Sequence, residues 1–283
     1  MPIAAASRFW GTQKEEYDAL HSLVSDLLSC VDLVLILVRT DLDKTDSLDR
    51  LGKDYSPLLG NQLVLLSTNQ EYTLTQGLNY LFTTASKWFH ERNQQEQKSL
   101  FLLVSVEIRL NSCIPYLASV VDENTLCAGC ALSQEHVQVQ SIGLDWLETK
   151  LSLRQQYVGT IEPVCSVLLS AFTCPWNTCC LWNMKHLQRT GFLMIADWVR
   201  PPGMEEVAVI AVQQKLFGIA QRQVKLVYLP SQWAPCRYMQ GYSVARMRCH
   251  EEKMRSKQQR TREMIQQLGS YTPRVMICVP ESL

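Results

Sequence analysis

The sequence has no excess charge of either sign: 27 lysines and arginines stand against 27 aspartates and glutamates over 283 residues. A chain of zero net charge has no general attraction for nucleic acid or acidic membranes, so only a local basic patch would supply one. Long hydrophobic runs are missing too. The stretch 31–38 is interrupted by Asp32, and it falls far short of the ~20 apolar residues that cross a bilayer. The opening MPIAAASRFWGTQKEE lacks the basic segment and apolar stretch of a secretory leader, so no signal peptide and no membrane partner are expected. Catalytic signatures are absent as well: no Gly-rich phosphate loop, no His-Glu-x-x-His and no Gly-x-Ser-x-Gly. Without them the motifs give no catalytic residue, no cofactor and no support for an enzyme.

Cysteine is abundant, with eleven residues scattered along the chain. An odd count suits free thiols better than a disulfide framework, which predicts a reducing, intracellular setting. Cys127-Ala-Gly-Cys130 has the spacing by which two thiolates grip one zinc, but a structural site needs two further ligands. Cys174, Cys179, Cys180 or His136 would have to supply them, and no second Cys-x-x-Cys exists. No bound metal is therefore expected. The alternative to an interaction protein is a cysteine-dependent enzyme or a zinc-stabilised protein of cellular origin.

Apolar residues make up 47% of the chain, enough for a folded core. Thr12 and Glu15 have the spacing of a capping box, and Tyr17, Leu20, Leu23, Val24 and Leu27 form the stripe of a helix over 12–30. A buried strand is predicted at 33–38, another at 63–66, and a return strand from Tyr72 and Leu74. A helix is expected over 77–95 and a strand over 100–106. Leu181, Met184 and Leu187 fall on one helical face, and Val207, Val209 and Val212 alternate like a strand. Gln213 and Gln214 read as a polar reversal, followed by strands through Leu216, Phe217 and Ile219 and over 224–229. PLLGNQLVLLSTNQEYTL and PGMEEVAVIAVQQKLFGI align without gaps, Leu63 on Val207 and Gln70 on Gln214. The expected fold is thus α+β, antiparallel strand meanders covered by helices. Two tandem pseudo-repeats are expected, 1–135 and 144–283, joined through 133–143.

A last helix is predicted over 243–268, stopped by Gly269, with a strand over 274–279. Its outer face is basic, and Arg255, Lys257, Arg260 and Arg262 are expected to be exposed there for an acidic partner, nuclear import or nucleic acid. Trp198, Pro201, Pro202 and Trp233 pair large aromatics with rigid turns and are expected to anchor a partner.

The stretch 178–230 resembles the large tegument family of betaherpesviruses named for a unique-short-region gene, within the SUKH superfamily. The likeness lies in Cys179-Cys180, Gly191, Trp198-Val-Arg-Pro201-Pro202, Val207-Ala-Val-Ile210 and Leu216-Phe217-Gly218-Ile219. A shorter segment, Gly191-Phe192, Ile195, Asp197-Trp198-Val199, Pro201 and Met204, is similar to the adenovirus early-region-four adaptor that recruits a cullin ubiquitin ligase. Thr125-Leu126 with Cys130 resembles the start of an elongin-binding box. The resemblances imply a non-enzymatic viral regulator in the host cytoplasm and nucleus. Its partners would be host regulatory proteins or a ubiquitin-ligase component, and its effect would be to counter innate defence, apoptosis or transcriptional control.

Overall fold

The computed structural model describes residues 1–11, 14–44, 46–69, 73–92, 98–132, 160–237 and 244–280. Strands and helices alternate through the first third: β1 (Ile3–Phe9), α1 (Lys14–Leu28), β2 (Leu33–Arg39), α2 (Ser47–Asp54), β3 (Leu63–Thr68), α3 (Leu74–Glu91) and β4 (Leu100–Val104). The four strands pair in parallel, in the order β3-β2-β1-β4. Parallel strands covered on both faces read as continuous apolar runs, and β2, LVLILVR, is buried over its first six residues. The helix predicted over 12–30 is α1, and its stripe Tyr17, Leu20, Leu23, Val24 and Leu27 is buried. The expected return strand at Leu74 is the first turn of α3 instead. Thr73 is its cap: Gln76 N–H donates to Thr73 Oγ1 at 3.3 Å and Thr73 N–H donates to Gln76 Oε1 at 3.0 Å, a reciprocal pairing that starts a helix.

The remaining elements are β5 (Ile108–Arg109), α4 (Ile114–Ser119), β6 (Thr125–Cys130), β7 (Ile161–Leu168), β8 (Cys179–Asn183), α5 (Met184–Leu187), α6 (Glu205–Phe217), β9 (Gln223–Val227), β10 (Cys236–Arg237), α7 (Val244–Gln267) and β11 (Arg274–Pro280). Antiparallel β8 joins β4 to β6, and β9, β11 and β7 complete a nine-stranded sheet. β6, β9 and β11 run parallel to one another, while β7 is an antiparallel edge. The fold is therefore mixed α/β around a mostly parallel sheet, and the expected antiparallel meanders are not its framework. Strands from 1–135 and 144–283 interleave in that sheet. The proposed join, 133–143, lies outside the described residues.

The segment 207–212 is the centre of α6 and not a strand. Val207, Ala208, Val209, Ile210 and Ala211 are all buried, so this helix lacks the polar face that would mark a helical period in sequence. Gln213 and Gln214 are no reversal: both are 0% exposed and tie α6 to the sheet. Gln213 Nε2 donates to His186 O at 2.7 Å, Gln214 Nε2 donates to Arg274 O at 2.9 Å, and Arg274 N–H donates back to Gln214 Oε1 at 2.8 Å. Because Leu63–Leu66 is strand and Val207–Ile210 is helix, the aligned segments are not structural repeats. The Cys179-Cys180 pair likewise sits on β8, and only Met184–Leu187 is helical.

The sheet separates two cores. One holds Leu78, Leu81 and Phe82 of α3, Val207–Ile210 of α6 and Met264 of α7; the other holds Leu20, Leu23 and Leu27 of α1, Leu51 of α2 and Leu117 of α4. Trp182 of β8 is fully buried in the first. Its ring packs edge-on to Phe192 with centroids 5.4 Å apart, and its indole N–H donates to Asn177 Oδ1 at 2.9 Å. Trp182→Ala is expected to destabilise the chain by about 4 kcal/mol, read from urea unfolding, because a close-packed interior cannot collapse onto so large a void.

Candidate functional site

β1, β4, β6 and β9 all end at one edge of the sheet, where antiparallel β8 begins. Strand order reverses between β1 and β4, and in open α/β sheets such a reversal at the carboxyl ends leaves the crevice where ligands bind. Arg8, the penultimate residue of β1, shares the side of the strand from which Ala4 and Ala6 enter the α3/α6 core. Its Nη1 donates to Leu74 O at 3.1 Å, beneath the start of α3.

Three carboxyl groups, Asp197, Glu205 and Glu206, act on that guanidinium electrostatically. Asp197 ends a short 3-10 turn (Met194–Asp197) and accepts from Thr75 N–H at 3.4 Å and from the Thr75 hydroxyl. Glu205 and Glu206 form the first turn of α6 and are 5% and 4% exposed. Asn177 N–H, just ahead of β8, donates to Glu206 Oε1 at 2.7 Å. Helix α7 brings two cations. Lys257 Nζ lies 3.3 Å from the centroid of the Trp176 ring, and Arg260 Nη1 donates to Pro201 O at 2.7 Å and Pro202 O at 3.4 Å. Gly203, at φ +120°, lets the chain turn from these prolines into α6.

Burial pushes the Glu206 carboxyl up to about 8, the neighbouring Glu205 charge adds to the rise, and Lys257 opposes it. A helix N-terminus favours a carboxylate by roughly 0.3–1 kcal/mol, which is small beside the several kcal/mol of removing an ion from water. Burial therefore wins. It also lowers the Arg8 and Arg260 guanidinium groups, with Glu205, Glu206 and Asp197 opposing at Arg8, and Glu205 and Glu263 at Arg260. Glu205 Oε2 and Glu206 Oε2 are buried and accept no hydrogen bond from the described residues.

The residues singled out in sequence are dispersed over the fold. Trp198 is 79% exposed, Pro201 is exposed behind a cis Arg200–Pro201 bond, and Pro202 is half-buried. Trp233 is half-buried against Tyr116, with ring centroids 6.2 Å apart. Arg262 is exposed, but Lys257 and Arg260 are buried, and the side chain of Arg255 lies outside the described residues. The expected basic outer face thus loses two of its members, because Glu205 and Glu206 draw them inward. Cys127 and Cys130 face opposite cores, as residues three apart on a strand must, so the pair does not share one ion. Burial raises the Cys174 and Cys180 thiols well above their ordinary value, which keeps them from acting as thiolate nucleophiles. Thr125, Leu126 and Cys130 are buried in β6, where an elongin-type partner does not reach them.

Arg8, Asp197, Glu205 and Glu206 were not legible as a site. The available signal was the boundary of α6: two glutamates in its first turn and Gly218 at its end, φ +86°, the acidic start and glycine stop of a helix.

No protein-family model matches the sequence, and no curated protein matches it. The fold does have solved counterparts. Glucosyl-3-phosphoglycerate synthase from Mycobacterium tuberculosis, in complex with phosphoglyceric acid, superposes with a TM-score of 0.51 at 10% identity, over 99% of this chain and 81% of that one. The mannosyltransferase PcManGT from Pyrobaculum calidifontis, in complex with GDP-Man and Mn2+, superposes with a TM-score of 0.54 at 9% identity, over 90% of this chain and 62% of that one. The tegument resemblance is overturned by these neighbours. With it go the expectations of a viral regulator, of a protein that is not an enzyme, and of host regulatory proteins or a ubiquitin-ligase component as partners. What the comparison establishes is the architecture: the chain has the Rossmann-like GT-A fold of nucleotide-sugar glycosyltransferases.

Proposed function

We propose that this chain transfers a sugar from a nucleotide-activated donor to a hydroxyl group of an acceptor. The observation that carries the reading is the buried Glu205–Glu206 pair at the carboxyl edge of the sheet, beside Arg8 and with open carboxyl oxygens. The fold supports it. Solved neighbours were crystallised with UDP-glucose and Mn2+ or with GDP-Man and Mn2+.

In the proposed step the acceptor oxygen attacks the anomeric carbon, the bond from that carbon to the diphosphate breaks, and the hydroxyl proton passes to a carboxylate. Glu206 suits the last role. Asn177 N–H fixes its Oε1, leaving Oε2 to take the proton; because a carboxyl raised to about 8 holds its proton at neutral pH, the base is the ionised fraction, and transfer should rise as pH approaches 8. Arg8 and Lys257 hold it in place electrostatically. Among the described residues no three His, Cys, Asp or Glu side chains are grouped to hold an ion, and the segment leaving β4, Ser105-Val106-Glu107, offers one carboxylate. The described residues therefore do not fit the Mn2+ of the neighbours, and no step is assigned to a divalent cation.

The test is direct. Purified protein is incubated with UDP-glucose or GDP-mannose and a panel of hydroxyl acceptors, and nucleoside diphosphate release is followed together with the glycoside formed. Donor binding with acceptor-dependent release is the expected result. Absence of both, for either donor, would defeat the reading.

A further inference from the structure

Trp198 is 79% exposed although both of its neighbours, Asp197 and Val199, are buried. Asp197 is held by Thr75, and Val199 belongs to the α3/α6 core. The backbone on either side is thus fixed by the interior, and the indole is turned to solvent by the fold. Met194, at the start of the same short turn, is 55% exposed. A second indole, Trp10, leaves the end of β1 at 49% exposure, and the Arg8 guanidinium carbon is 5.8 Å from the centroid of its ring. Arg8 is also the cation on which Asp197, Glu205 and Glu206 act electrostatically. Two outward tryptophans therefore flank one buried carboxyl cluster. Trp10 stands on the side of the strand-order reversal, and Trp198 stands on the segment that leads into α6.

We infer that Trp198 is the stacking platform for a pyranose ring of the acceptor, so that the acceptor is a carbohydrate and not a small phosphorylated acid; the inference rests on the glycosyl-transfer reading. One face of a pyranose presents C–H groups that pack on an indole, while its rim hydroxyls keep their hydrogen bonds to water and to nearby polar groups. Tryptophan is suited to such a half-wet contact because its body is apolar and its N–H is a donor. The indole and the Met194 thioether present an apolar surface that matches a neutral ring; Arg200, exposed two residues on, is the group a phosphate would seek, and 3-phosphoglycerate tests that alternative. The donor base has a different place, at the crevice beside β1 and β4. That leaves Trp198 to the molecule that must bring its hydroxyl to Glu206.

The probes are methyl β-D-glucoside, methyl α-D-mannoside and maltotriose, with 3-phosphoglycerate as the contrasting acid. Each is titrated, with and without UDP, into isotope-labelled full-length chain, and the Trp198 indole N–H signal is assigned by its loss in Trp198→Phe. At least one glycoside is expected to shift that signal at millimolar concentration. Trp198→Ala should weaken that glycoside about tenfold, in line with ring stacking on an aromatic side chain, and Trp198→Phe should retain most of the affinity. UDP-glucose and GDP-mannose binding should be unchanged in both variants. The inference is overturned if only 3-phosphoglycerate perturbs the signal, if no glycoside does, or if Trp198→Ala binds glycosides as the wild type does. Donor binding separates the two failures. Loss of donor binding in the wild type removes the glycosyl-transfer reading, whereas intact donor binding without a glycoside effect removes only the role of Trp198.

Discussion

Glu206→Gln is expected to abolish transfer and, at alkaline pH, to make the protein more stable. Glutamine keeps the shape and the oxygen that accepts from Asn177 N–H, but it cannot take a proton from the acceptor. Loss of a positioned general base costs about 10²–10⁴-fold in turnover. The stability change has the opposite sign. The folded chain holds a proton on Glu206 up to about pH 8, while an unfolded glutamate releases it near 4.3. Between those values the native state binds more protons than the unfolded state, so stability falls as pH rises through the window. At one unit per 1.36 kcal/mol the full loss is on the order of 5 kcal/mol, and the glutamine variant escapes it. Urea unfolding of the two proteins should therefore agree near pH 4 and diverge toward pH 8.5, with the variant the more stable. Parallel pH profiles would show that the carboxyl is not held protonated. Undiminished transfer by the variant would show that Glu206 is not the base.

The second large effect is expected at Arg8. Arg8→Met removes the cation that faces Asp197, Glu205 and Glu206 from the end of β1, and it leaves Leu74 O without its donor. Breaking a buried ion cluster from one side costs about 3–5 kcal/mol, because the remaining charges stay desolvated. The loss should depend on pH in a defined direction. While Glu206 keeps its proton, the variant chiefly lacks the hydrogen bond to Leu74 O, a matter of about 1 kcal/mol. As pH rises through about 8 and that carboxyl ionises without its cation, the penalty should grow. Chemical denaturation at neutral pH and near pH 9 measures both. An equal loss at both values would mean that Arg8 contributes packing alone. A variant as stable as the wild type near pH 9 would remove Arg8 from the cluster altogether.

Much of the framework was legible from local pattern. Tyr17, Leu20, Leu23, Val24 and Leu27 repeat at helical spacing because one face of α1 meets the sheet and the other meets water. Leu33–Val38 reads as a strand because β-branched and leucine side chains fill both of its faces. Gly269, at φ +90°, stops the last helix where it was expected to. Local signals failed where burial is complete. The first turns of α6 are covered on all sides, so Val207-Ala-Val-Ile210 has no polar period to separate helix from strand, and alternation by size imitates alternation by face. β1 and β6 escaped notice for a related reason. IAAASRF and TLCAGC each carry a single β-branched residue, at the start, and are otherwise dominated by Ala, Ser, Gly and Cys, too small to mark a strand by β-branched content.

The candidate site shows the same division more sharply. Sequence by itself determined that the chain folds, that no described helix is long and apolar enough to span a membrane, and where most strands and helices of its first third lie, because these follow from composition and from contacts between near neighbours. It could not determine which charges leave water. Lys257 and Arg260 have the spacing of a solvated helix face, and nothing within ten residues says otherwise. Only the tertiary structure sets Lys257 against Glu206 and Arg260 against Glu205, some fifty residues earlier, and sets both glutamates against Arg8 at the end of the first strand. Charges that far apart in the chain interact only through the low-dielectric space the fold encloses, and that space exists only when the whole sheet is assembled.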